Sequence, residues 1–389
     1  MKRSSVGLVA VSSGSSSSSF GGSSGDSRQY DGDGGVIINV SSSGALMPLP
    51  EVIPYGSAKS ALNAMTLEMS LGIDAALDRF EADPAVALVV LEGAGERGLC
   101  AGGDIRGLWE SSRAGGDLGK VFWRQEYIMN ARIAKYPKPY VAFMDGLVMG
   151  GGVGLSAHSS HRVVTERTRL AMPEVGLGFF PDVGGTWLLS HSPGEIGTYF
   201  GLTGQTMNGP DAIHAGFADA VVPSAKWSAL REALTGVRAG VTAAEVKKLI
   251  DGFATGETSG PVAAMQGNID RWFGHDRMQD IVAALQRDGS EPAQATLKTL
   301  GEKSPRGMVV TLKLLRLARS AKSLEECLVR EYRAALQVFA SDDFREGVRA
   351  AVIDKDRNPK WSPPRIEGVT PEMVAPYFAE IGADELKFP

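Results

Sequence analysis

Two cysteines, Cys100 and Cys327, are all that this 389-residue chain holds. They are too few for a disulfide framework and fit a reducing compartment. There is no basic excess. Forty Lys and Arg against forty-five Asp and Glu leave a formal net charge of −5, so nothing calls for a nucleic-acid partner. No apolar run approaches the roughly 20 residues that cross a bilayer, and no membrane partner is expected. Histidine is scarce, five in all. The close pair His158 and His161 lacks neighbouring Cys or carboxylate ligands and reads as a solvated helix end, with no metal expected. No internal repeat is visible. What remains is an ordinary globular composition, 43% apolar and 22% charged, in a length that suits one large α/β domain with an appended helical region.

The first 35 residues are anomalous, since twenty are Ser or Gly. Apart from Val6–Val11 they have little to bury, so residues 1–34 are expected to be disordered. Their basic start and lack of acids as far as Gly25 also fit a targeting segment, and a linker fits equally. Val36–Val40 reads as a strand. From Ser57 to Glu81, Leu62, Met65, Met69, Ile73, Ala76, Leu77 and Phe80 recur at helical spacing. Val86–Leu91 and Tyr140–Met144 are continuous apolar runs, as in strands buried on both faces, and Arg162–Thr165 is a shorter third. Beyond about residue 225 helical patterns take over, at Lys226–Thr235, Leu312–Ala318 and Leu324–Phe339. Pro363-Pro364 then precedes a short helix near Pro371–Ile381. The expected division is a core over 35–225 and a helical region over 226–389.

Three segments carry chemistry. In Leu99-Cys100-Ala101-Gly102-Gly103-Asp104 two glycines permit a sharp turn, and Asp104 favours a helix start. In Gly146–Gly154, three consecutive glycines precede a helix. Two such turns, brought together, supply two N–H donors to one carbonyl oxygen, as an oxyanion hole requires; the structural alternative is close helix packing across glycine. In Met172-Pro173-Glu174 and Phe180-Pro181-Asp182-Val183-Gly184-Gly185, two carboxylates sit among apolar residues, Gly and Pro. Such surroundings raise carboxyl pKa values and suit them to acid, base or nucleophilic work. The alternative is that each merely caps a turn.

In this order and spacing, the glycine turns and the Met-Pro-Glu segment resemble the crotonase (enoyl-CoA hydratase/isomerase) superfamily. The resemblance implies a crotonase-like ββα spiral core of the α/β class with a C-terminal helical region, and an acyl-CoA thioester as substrate. It implies oxyanion donors at Gly103 and Gly151. Where the superfamily's hydratases carry the first of two catalytic glutamates, this chain has Gly154. Phe180–Gly185 is instead similar to the 3-hydroxyisobutyryl-CoA hydrolases. So are Arg124-Gln125-Glu126-Tyr127, Lys303-Ser304-Pro305, and Asp343–Arg349 running on through Asp354-Lys355-Asp356 to Trp361. That likeness implies thioester hydrolysis in valine breakdown, with Glu174 as nucleophile or base, Asp182 on the substrate's 3-hydroxyl and Glu126 lining the acyl pocket. It implies no cofactor, coenzyme A being part of the substrate, and a homo-oligomer. It also implies the mitochondrial matrix in a eukaryote, or the cytoplasm in a bacterium. A hydratase or isomerase, or a non-catalytic CoA-binding subunit, are the alternatives.

Residues 35–69 resemble something else, the catalytic segment of short-chain dehydrogenases, with Ser42, Tyr55 and Lys59 at that triad's spacing. Only 34 residues precede Gly35, too few for the dinucleotide fold such an enzyme needs. No nicotinamide chemistry is therefore expected. The crotonase resemblance implies an opening strand followed by a loop that helps hold the nucleotide end of coenzyme A; residues 41–60 replace that loop, which bears on coenzyme A binding.

Overall fold

The computed structural model describes residues 5–12, 35–40, 58–94 and 98–389. The first strands are β1 (Ser5–Ser12) and β2 (Gly35–Val40), followed by helix α1 (Ala58–Ala82) and strand β3 (Val86–Ala94). Next come α2 (Ile105–Ala114), α3 (Leu118–Ala134), β4 (Tyr140–Met144) and β5 (Leu147–Met149). Then follow α4 (Gly151–Ser156), β6 (His161–Val164), β7 (Arg169–Ala171), α5 (Gly185–Ser190), α6 (Ile196–Thr203), α7 (Gly209–His214) and β8 (Ala220–Val221). The main sheet has the order β2-β1-β3-β4-β6-β8. Its first two pairings are antiparallel and the rest parallel. A second, small sheet pairs β5 with β7.

β1 corrects the expectation of disorder at 5–12, the rest of 1–34 lying outside the described residues. Leu8 stands opposite Ile38 on one side and Leu91 on the other, so the sheet supplies the backbone partners that a poorly apolar segment cannot find alone. Ser42 and Tyr55, of the dehydrogenase-like triad, lie outside the described residues; Lys59 falls in the first turn of α1.

The continuous apolar strands are explained by what covers them. Along β3 and β4, Val89, Leu91, Tyr140, Ala142 and Met144 enter a core shared with α1 and α3. The alternate residues Leu88, Val90, Val141 and Phe143 face a second core. α8 (Trp227–Thr235) and α9 (Ala243–Asp251) close that side with Leu230, Leu234, Val246 and Ile250. A strand buried on both faces needs apolar residues at every position rather than at alternate ones.

Beyond β8 the described elements are helical. They run α10 (Pro261–Phe273), α11 (Met278–Asp288), α12 (Glu291–Gly301), α13 (Pro305–Ala318), α14 (Leu324–Phe339) and α15 (Asp342–Val348). No packing divide accompanies the change near residue 225. One core cluster runs from Ile73 to Leu386 and includes Leu315, Leu328, Phe339 and Phe344 beside the strands. The helical region therefore reaches the loops at the strand ends. No helix among the described residues is long and apolar enough to cross a membrane.

Candidate active site

The two glycine turns meet. The Cys100 N–H donates to the Leu147 carbonyl at 3.0 Å and the Met149 N–H to the Cys100 carbonyl at 2.9 Å. This zips the end of one turn to β5. Gly102 and Gly150 both take positive φ, 106° and 52°, which favours glycine. They approach so closely that a Cβ on Gly150 would stand 3.5 Å from the Gly102 Cα. Gly103 is exposed and Gly151 partly so, and neither N–H is spent on a backbone carbonyl among the described residues. Asp104 caps α2 by accepting from the Gly107 N–H at 3.1 Å, as its place in the sequence suggests.

Carboxylates approach this junction from two elements. Glu126 comes from α3 and is buried; its Oε1 lies 2.8 Å from where a Cβ on Gly151 would be. Glu174 opens a single 3₁₀ turn, Glu174–Leu177, just after β7. Its Oε1 stands 3.5 Å from the equivalent point on Gly150, and its Oε2 is buried without a hydrogen-bond partner. The C-terminal region braces the turn. The Ser304 N–H donates to the Val175 carbonyl at 3.1 Å, and the Ser304 hydroxyl donates to Asp343 Oδ2 at 2.7 Å. Gly178, at φ 71°, lies flat against the Asp343 carbonyl. The family-like stretches at 303–305 and 343–361 thus support the Glu174 turn. Arg349 ties the latter together through Glu346, Asp354 and Asp356.

Asp182 is also buried, and Tyr127, beside Glu126 on α3, donates its hydroxyl to Asp182 Oδ2 at 2.7 Å. The next residue, Val183, has φ 54° and Gly184 has φ 78°. A β-branched residue in that region is costly, of order 1–3 kcal/mol, and persists only where its surroundings over-determine it. His158 contributes, with its Nε2 2.7 Å from the Val183 carbonyl. A carbonyl only accepts, so this nitrogen carries the proton, and burial holds the ring neutral with a pKa lowered to about 4. The reading of His158 and His161 as a solvated helix end is therefore corrected. His158 is partly buried and His161 buried, the latter with Nε2 bonded to the Ala243 carbonyl at 2.8 Å and Nδ1 to the Ser160 hydroxyl at 2.9 Å. Both rings satisfy backbone groups that sequence spacing does not reveal.

Burial sets the electrostatics. It pushes Glu174 and Glu126 well above the usual carboxylate range, and the Asp182 charge raises both further. Asp182 rises to about 7, again through burial, although the Tyr127 hydrogen bond pulls it down. Like charges this close cannot all ionise together, so the cluster holds protons near neutrality. Among the described residues no group of three or more His, Cys, Asp or Glu is placed to hold a metal ion.

Gly154, where a hydratase would need glutamate, has no room for a side chain. A Cβ there would stand 2.7 Å from Asn130 Nδ2 and 2.8 Å from Val183 Cβ. Asn130, one turn beyond Glu126 on α3, fills the space. It is fully buried, with both amide ends unpartnered in the structure. Gly154→Ala is expected to destabilise the protein by about 1–3 kcal/mol through overpacking. Denaturant unfolding checks this; an unchanged midpoint would mean that Asn130 yields freely.

Of the sequence-derived residues, the buried Glu126, Glu174 and Asp182 come together beside Gly151 in one site, and Gly103, exposed, follows the Gly102 that Gly150 approaches. Tyr127, Asn130, His158 and Glu331 were not foreseen as parts of it. For Glu331 there was a signal: it interrupts the apolar stripe Leu324, Leu328, Ala335, Val338 of α14.

Comparison with known proteins finds relatives over most of the chain. The sequence model of enoyl-CoA hydratase/isomerase matches residues 57–378, and that of short chain dehydrogenase matches only residues 20–75. A mitochondrial 3-hydroxyisobutyryl-CoA hydrolase from Rattus norvegicus is 40% identical over 84% of this chain and 86% of its own length. Among solved structures, a carnitinyl-CoA dehydratase from Mycobacterium thermoresistibile superposes with a TM-score of 0.77 at 42% identity, covering 82% of this chain and 91% of that one. An enoyl-CoA hydratase from Rhodobacter sphaeroides 2.4.1 gives 0.76 at 43%, covering 85% and 95%.

Proposed function

This chain belongs to the enoyl-CoA hydratase/isomerase family, and on that premise we propose that it hydrolyses the thioester of 3-hydroxyisobutyryl-CoA, as the rat relative is named for doing. The observation that carries the reading is the buried pair Glu174 and Asp182, set against glycine turns with unspent N–H groups. The thioester oxygen takes its hydrogen bonds from Gly103 and Gly151. Each such donor contributes about 3–4 kcal/mol to the transition state. Glu174, with an unpartnered Oε2, is the nucleophile or the base that activates water. A C–O bond forms from water or from Glu174, the C–S bond breaks and coenzyme A leaves as the thiol; where Glu174 is the nucleophile, water then cleaves its acyl anhydride, and in both cases the free 3-hydroxy acid is the second product. Asp182 holds the substrate's 3-hydroxyl and assists the proton transfer to the leaving sulfur. Glu126, against Gly151, lines the acyl pocket. The reaction calls for no cofactor beyond the coenzyme A that the substrate brings.

The names of the two solved relatives favour a second reading, water addition to an enoyl-CoA. It requires a second glutamate at 154, where glycine stands and Asn130 occupies the space. Purified protein offered 3-hydroxyisobutyryl-CoA and an enoyl-CoA in parallel is expected to release thiol from the first and to hydrate the second poorly. Hydration without thiol release would reverse the assignment.

A further inference from the structure

α14 carries a carboxylate to which the proposed reaction assigns no part. Glu331 is fully buried, and its three described hydrogen-bond donors belong to a single turn. Its Oε2 accepts from the Gly184 N–H at 2.7 Å; its Oε1 accepts from the Thr186 N–H at 3.1 Å and the Thr186 hydroxyl at 2.5 Å. That turn follows Asp182 directly and contains the left-handed residues Val183 and Gly184. His158 holds the Val183 carbonyl, and Tyr127 holds the Asp182 carboxyl itself. The Gly185 N–H donates to the Asp182 carbonyl at 2.6 Å, and Glu331 adds a further grip from a helix far along the chain.

We propose that Glu331 is a positioning residue of the hydrolytic site: by binding Gly184 and Thr186 it keeps the turn left-handed and aims Asp182 at the substrate. This rests on the reading of Asp182 as a group that touches substrate. The bonding pattern demands a carboxylate, because both oxygens must accept. A glutamine with its oxygen kept toward Thr186 would turn its NH₂ toward the Gly184 N–H, donor against donor. The charge has a second consequence. The titratable groups that face Glu331 are Asp182, Glu174, the Tyr127 hydroxyl and the Cys327 thiol one turn earlier on α14. Glu331 holds the pKa of Glu174, Tyr127 and Cys327 up, as one negative charge does to another group that must become negative. Its own carboxyl is raised to about 7, burial outweighing its donors.

Glu331→Gln and the milder Thr186→Val test this in the full chain. The expected result for Glu331→Gln is a kcat for thiol release lower by roughly 10–10²-fold, the scale on which small misplacements act, with KM little changed. The acid limb of the pH profile should move to lower pH, because Glu174 ionises more easily without the neighbouring charge. Thr186→Val should lose less, and Thr186→Ser should restore what it loses. A lowered melting temperature with kcat and the acid limb unmoved would reduce Glu331 to a structural role and overturn the proposal. Should the wild type release no thiol, the functional reading fails separately. The carbon-13 titration of the Asp182 carboxyl then decides the positioning claim: it should differ between wild type and Glu331→Gln, and identical curves would sink it.

Discussion

Replacing Glu174 with glutamine is expected to lower thiol release by roughly 10²–10⁴-fold, the range that a positioned acid or base contributes, without weakening the fold. The two halves of that expectation come from one observation. Glu174 is buried, its Oε2 has no partner, and it shares its surroundings with Asp182 and Glu126. A carboxyl so placed is costly to ionise, and that cost fits the role proposed for it toward substrate. Glutamine keeps the shape and removes both the ionisation and the nucleophile. Thiol release and a thermal melt on the same preparation check the pair of effects. Near-normal activity would remove Glu174 from the reaction, and a sharply lower melting temperature would mean that its carboxyl has a structural partner.

Asp182→Asn is expected to cost about 10²-fold or more in kcat and, in addition, to change how stability depends on pH. Burial raises Asp182 from the usual 3.8 to about 7. Between those values the folded protein keeps a proton that the unfolded chain has lost. Stability therefore falls as pH rises across that window, and the loss is complete above about pH 7. Across such a window stability changes by about 1.4 kcal/mol for every pH unit. Glu126, Glu174 and Glu331 act in the same sense. His158, lowered to about 4, acts in the opposite sense between about 4 and 6.5, so the informative quantity is the difference between variant and wild type. Asparagine still accepts from the Tyr127 hydroxyl but does not titrate. Denaturant unfolding at pH 5 and pH 8 should show a larger loss for wild type than for Asp182→Asn. Equal losses would place the Asp182 pKa in the ordinary carboxylate range.

The order of chemistry along the chain was legible in the amino acids alone. Glycines at 102–103 and 150–152, Glu174 and Asp182 announce themselves because turns, caps and carboxylates among apolar neighbours leave local marks. The strands at 86–91 and 140–144 and the helices at 57–81 and 324–339 were legible for the same reason, since periodicity is a property of near neighbours. The absence of glutamate at 154 was equally plain. Tertiary structure alone decided that Asn130 occupies that space, that Tyr127 and His158 grip the Asp182 turn, and that Ser304, Asp343 and Glu331 reach the site from the helical region. It also turned Val6–Val11, in a Ser-rich segment with little to bury, into a sheet strand between β2 and β3. Each of these depends on groups that lie far apart in the chain. A hydrogen bond or the repulsion between like charges acts over a few ångströms of space, and no local pattern records which distant residue folding will place within that reach.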